Sequence, residues 1–197
     1  MHRRLLTIYE DIERRTQSTA AAHPWWPCRR GCGGCCRRLA DVPQLTQAEW
    51  LYVREGIDAL APAVRGAVME RIARLEELVT TGSLPPHVTC PILDDSEGDG
   101  VCLVYRHRPA ACRTHGFYAR RADELCCDLV VSAADASGED VVWGNQDGID
   151  DELERTSGKA LPMTTWSRSE AAEGGHRGNR SERADPGGGP ERSSKVR

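Results

Sequence analysis

The chain is poor in aromatic residues, which make up 5% of it with a single phenylalanine, and it has only three methionines. A core built from it must be small and mostly aliphatic. No apolar run approaches the roughly 18–20 residues needed to span a bilayer. The N-terminal stretch MHRRLLTIYEDIERR is interrupted by Glu10, Asp11 and Glu13 and has no apolar h-region, which argues against export and for a cytoplasmic protein. Neither charge sign dominates: 26 Lys+Arg face 30 Asp+Glu, a net of −4, so the footprint of a nucleic-acid binder is missing. At 197 residues the chain suffices for one domain with a tail.

What the chain does have is cysteine, nine of them, all between positions 28 and 127 and four within CRRGCGGCC. In a reducing compartment clustered thiols are more often metal ligands or catalytic groups than disulfides. Gly31, Gly33 and Gly34 supply the backbone freedom a tight ligand loop needs. Cys35 and Cys36 are neighbours whose side chains diverge in regular backbone, so they suit two ions, or two corners of a cluster, better than one. Cys90, Cys102 and Cys112 follow in loop-like or strand-like surroundings, and Cys126 and Cys127 form a vicinal pair. Four ligands complete a mononuclear zinc site, so nine thiols allow two sites, or one cluster with spares. Flanking arginines (29, 30, 37, 38, 106, 108, 113) would offset the negative charge of a thiolate site. With so many thiols no histidine is required, although His115 stands three residues after Cys112.

Periodicity predicts a helix over 3–20, a second from a Thr46/Glu49 capping box to about Ala59, and a third from Pro62 to about Thr80 closed by Gly82. The second and third should form an antiparallel hairpin beside the cysteines. Residues 82–101 read as loop, VCLVY (101–105) as β-prone, RPAACR as a short helix opening at Pro109, and DGIDDELER as a last short helix. RADELCCDLVV is undecided between helix and strand. Trp25 and Trp26 suit either core packing or cover over a metal site. The expected class is a small α+β domain, mainly helical and loop-rich, spanning 1–167 and tied together by its metal site. Residues 168–197 are Gly-, Ser- and Arg-rich and read as a disordered tail; they carry a net +2, leaving −6 for the folded part.

Three ordered elements, CRRGCGGCC, CPIL and CLVYRHRPAACR, together resemble the YkgJ-type cysteine-cluster family, whose members are described as zinc- or iron-chelating. The resemblance covers about 25–130. Cys28, Cys32, Cys35 and Cys36 match its first cluster; Cys90, Pro91 and Leu93 its second element; Cys102, Tyr105, Arg108, Pro109, Cys112 and Arg113 its third. Either Cys126 or Cys127 would fill a downstream position, and Cys126 is taken here. The implied ligands are therefore Cys28, Cys32, Cys35, Cys36, Cys90, Cys102, Cys112 and Cys126, for zinc or iron, an iron–sulfur cluster included. The resemblance implies chelation and supplies no reaction.

Other readings compete. Similar clusters occur in flagellin lysine methylases, which allows a role in or beside a protein-modifying enzyme. C-x3-C-x2-C is also the spacing of radical S-adenosylmethionine enzymes, but the repeated βα units that should follow are missing. A nucleic-acid-binding zinc module lacks finger spacing and an aromatic platform. A thioredoxin-like redox protein lacks C-x-x-C in a βαβ setting. No catalytic constellation stands out, and neither a membrane nor nucleic acid is an expected partner.

Overall fold

A computed structural model describes residues 2–96, 98–120 and 127–178. Helix α1 (Arg3–Ala22) opens the chain, and Leu5, Ile8, Tyr9 and Ile12 are its buried stripe. A one-turn helix α2 (Gly34–Arg37) carries Cys35 and Cys36. Helices α3 (Gln47–Asp58) and α4 (Pro62–Thr80) follow. Then come the short helices α5 (Ala110–Thr114) and α6 (Asp128–Ser137), α7 (Gln146–Ser157) and α8 (Met163–Gly178). Strands are two residues long and tie loops together: β1 (Gln44–Leu45) pairs antiparallel with β6 (Leu161–Pro162), β2 (Leu93–Asp94) antiparallel with β3 (Val101–Cys102), and β4 (Tyr118–Ala119) parallel with β5 (Gly144–Asn145). The protein is thus a small, mainly helical α+β fold, as the periodicity implied.

The local chemistry explains the boundaries. Thr46 caps α3 with a complete capping box, its hydroxyl accepting from Glu49 N while Glu49 accepts from Thr46 N. Pro62 sits in the first turn of α4 and costs no hydrogen bond there. Gly82 adopts φ +65° immediately after the α4 C-cap, where a side chain would be strained. The Asn145 side chain caps α7 by accepting from Gly148 N. Pro109 is the cap of α5 and not its first helical residue. Of VCLVY only Val101 and Cys102 pair as strand, and α6 begins only at Asp128, at the end of the undecided RADELCCDLVV stretch. Residues 121–126 lie outside the described ones.

Two apolar clusters hold these pieces. The larger joins Trp50, Val53 and Ile57 of α3 to Val68, Ile72 and Leu75 of α4, and receives Val88, Ile92, Val104 and Met163 from the loops and α8. Cys90 and Cys102 pack against it, so the helical hairpin does stand beside the cysteines. The smaller joins α1 to Ala110, Tyr118 and Leu153. Glu49 links the two: it is buried and accepts from Thr46, from the Tyr9 hydroxyl and from Ala110 N at the start of α5. Helix α8 runs across the 167/168 boundary drawn from composition, and Trp166 on it donates to Leu45 O at 2.7 Å. No described helix is long and apolar enough to cross a membrane.

Candidate metal centre

The first cysteine loop docks by its backbone. Gly33 N donates to Asp99 O (2.9 Å), Cys90 N to Cys36 O (2.7 Å), and Leu39 exchanges both bonds with Val88. These contacts lay α2 against the 88–102 segment, where Leu93 stands opposite Cys102 in the β2–β3 pair. Arg37 fastens the same junction, pairing with Asp95 and donating to Asp99 O. Of the three glycines credited with backbone freedom, only Gly31 has positive φ (+91°). Gly33 serves differently: φ is −89°, but a Cβ there would run into the Asp99 carbonyl oxygen. Gly34 has room, its nearest neighbour for a Cβ being Cys32 Sγ at 3.8 Å. Gly33→Ala should therefore lose the 2.9 Å bond as well as overpack the junction, costing about 2–4 kcal/mol, while Gly34→Ala stays near the parent. Denaturant midpoints of the metal-free variants test this; equal midpoints would mean that the junction yields freely.

Thiols from all these segments influence one another. Cys35 and Cys36 Sγ lie 4.0 Å apart. Their hydrogen bond, then burial, pushes the Cys35 thiol far up. For Cys36 that same bond pulls down, but a hydrogen bond with Cys90 and burial outweigh it and set the thiol at about 12, with the charges of Cys90 and Cys102 adding to the rise. Burial raises Cys28 to about 11, helped by the charges of Cys127, Cys35 and Cys32. Burial also raises Cys102, against the Val104 N–H and the Arg108 charge. Cys112 is pushed up by burial and then by Cys36, Cys102 and Cys35.

The described cysteines therefore gather around α2. Cys36, Cys90, Cys102 and Cys112 act electrostatically on one another or on Cys35, and Cys28 feels Cys32, Cys35 and Cys127. All are free thiols, and Cys126 lies outside the described residues. No three or more His, Cys, Asp or Glu side chains among the described residues already surround one point in a ligand arrangement. Zinc–sulfur bonds of about 2.3 Å require sulfurs within about 4 Å of each other, a spacing that the Cys35–Cys36 pair meets. The donor set fits a thiophilic ion: it is soft, crowded and backed by Arg108, whose charge favours the thiolate of Cys28, Cys102 and Cys112.

Residues around the thiols divide clearly. Trp26 is a packing residue, stacked on Phe117 at 5.3 Å and tilted against Trp25 and Trp143. The Phe117 side of this cluster reaches Cys28 through Gly116, where a Cβ would touch Cys28 Sγ at 3.6 Å. His115 is held below the usual histidine range by burial, and its carbonyl accepts from the Cys28 thiol at 3.8 Å. The acidic residues after Cys90 bind their neighbours: Ser96 donates to Asp94 and Arg37 donates to Asp95, and these hydrogen bonds hold each carboxyl below its usual range. Sequence reasoning missed the Arg108–Tyr105 stack (3.7 Å), which no spacing rule signals.

A family model, CxxCxxCC, described as "Putative zinc- or iron-chelating domain", matches residues 27–128, just over half of the chain. No curated protein and no solved structure matches it.

Proposed function

The chain belongs to the CxxCxxCC family of zinc- or iron-chelating domains, and from that premise we propose that Cys28, Cys32, Cys35, Cys36, Cys90, Cys102, Cys112 and Cys126 are its ligand set and that the metal fastens the loops bearing them. Binding of zinc or iron itself follows from the family. What supports the finer reading is the meeting of thiols from separate stretches, 28–36, 90–102 and 112, around a one-turn helix. When bound, a zinc ion or an iron centre supplies cross-linking among these loops; an iron centre adds the capacity to pass electrons. All eight proposed ligands fall within residues 1–167, and the segment 168–197 contributes none.

The test is anaerobic purification of the full chain with metal analysis, a visible spectrum and proton counting on metal uptake. Thiols at about 11 and 12 are protonated at neutral pH. Each one that becomes a ligand must release its proton, so apparent affinity should rise with pH, about tenfold per unit for every coordinated thiol. A colourless zinc protein is the expected result for a fastening role, whereas charge-transfer bands would assign an iron–sulfur centre and electron handling. A protein that retains neither metal and releases no protons on zinc addition would overturn the assignment.

A further inference from the structure

Between α1 and the 105–113 segment lies a pocket of about 300 Å³. Arg106, Arg108 and Arg113 all line it, together with Tyr105. Arg108 lies over the Tyr105 ring at 3.7 Å, its Nε donating to Tyr105 O and its Nη1 reaching Cys112 O at 3.4 Å. Arg113 lies over Tyr9 at 4.2 Å and donates to Arg108 O and Arg106 O. Backbone carbonyls and rings, not carboxylates, hold these two guanidiniums, so their geometry is set in advance of any ligand.

The charges do not balance. Arg113 has one carboxylate near it, Glu13 at 3.6 Å, beyond hydrogen-bond distance. Glu10 also lines the pocket and is exposed. Arg106 is exposed and makes no ion pair among the described residues, and Arg30 adds a further unpaired guanidinium over Tyr105 at 5.0 Å. Glu49, the carboxylate beneath, is occupied by Thr46, Tyr9 and Ala110. Three arginines lining one small pocket, two of them with guanidiniums fixed in place, are suited to recognise an oxyanion through charge-assisted hydrogen bonds.

We propose that this pocket binds a small multiply charged oxyanion through Arg106, Arg108 and Arg113, its recognised group being a carboxylate or a phosphate. Arg108 ties the pocket to the backbone of α5, its Nη1 reaching the carbonyl of Cys112. The arginines, not the metal, make the site, so it stands whether or not the ligand assignment above holds.

Calorimetry on the full chain at low ionic strength, metal-free and zinc-loaded, tests this with two probes, citrate for the carboxylate source and inorganic phosphate for the other. At least one should bind with a one-to-one stoichiometry, and added sodium chloride should weaken it. Arg106→Gln, at an exposed and unpaired position, should weaken binding about tenfold while leaving metal content and circular dichroism unchanged. Arg168→Gln, an exposed cation on α8 paired with Glu76, should change nothing. Binding unaffected by Arg106→Gln, equal losses in both variants, or no heat from either anion in either metal state would overturn the proposal. Loss of metal with intact anion binding would count against the ligand assignment alone.

Discussion

Replacing both Cys35 and Cys112 by serine is expected to release the metal and to open the chain to proteases across 82–127 first, with most of the helical circular dichroism retained. Among its described residues the middle segment owns little regular structure: three strands of two residues, one turn of 3-10 helix at Tyr105–His107 and the five-residue α5. Its buried apolar anchors are few: Val88, Ile92, Leu93, Val104, Ala110 and Tyr118. Each large one contributes about 1.5–3 kcal/mol by burial. A structural zinc on thiolates contributes on the order of 10 kcal/mol, of the same order as these anchors together. The hairpin of α3 and α4 rests on another basis, the packing of Trp50, Val53 and Ile57 on Val68, Ile72 and Leu75, together with the Thr46 cap. Limited proteolysis of variant and parent at matched pH, read by mass spectrometry, is the measurement. A metal-free variant as resistant as the parent would show that packing alone holds the segment, and would turn the thiols towards metal transfer or redox exchange.

The features legible in the sequence are those written within a few neighbouring residues. The capping box, the proline at the start of α4, the glycine after its end and the apolar stripe of α1 each depend on contacts three or four positions apart. The three cysteine elements were legible because their residue types and order are themselves unusual. Contacts that join distant stretches were not. Nothing local marks Leu45 and Leu161 as partners, or shows that Met163 and Trp166 carry α8 onto the α3–α4 core at the edge of a polar stretch. Gly33 was read for backbone freedom, yet its small size matters because Asp99, 66 positions later, passes against it. The arginines around the cysteines looked alike in sequence; packing makes Arg37 a strut to Asp95 and sets Arg108 and Arg113 on tyrosine rings.

Glu49 shows how a residue chosen for a local role can carry a global one, and its removal should be among the costliest single changes in the protein. Its capping partner Thr46 is local, but its other oxygen accepts from Tyr9 on α1 at 3.2 Å and from Ala110 N at 2.9 Å. One carboxylate thus satisfies donors from three elements at a position only 3% exposed. Burial, then the neighbouring Glu49 charge, raises the Tyr9 hydroxyl far above its ordinary value, which favours its role as a donor. Glu49→Ala leaves the Thr46 and Ala110 N–H groups and the Tyr9 hydroxyl without their acceptor. Each unmet buried donor costs about 1–3 kcal/mol, and water entering the gap recovers a part, so a loss of about 3–5 kcal/mol is expected. Urea unfolding of the metal-free protein measures it without contributions from metal binding. Because Ala110 opens the helix that carries Cys112, the variant should also bind zinc more weakly than the parent under conditions where it remains folded. Glu49→Gln keeps an acceptor oxygen at the same reach and should lose clearly less stability than Glu49→Ala. Equal losses for the two would place the effect in the carboxylate's charge and not in its acceptor geometry, and a loss below about 1 kcal/mol for Glu49→Ala would show that solvent replaces it.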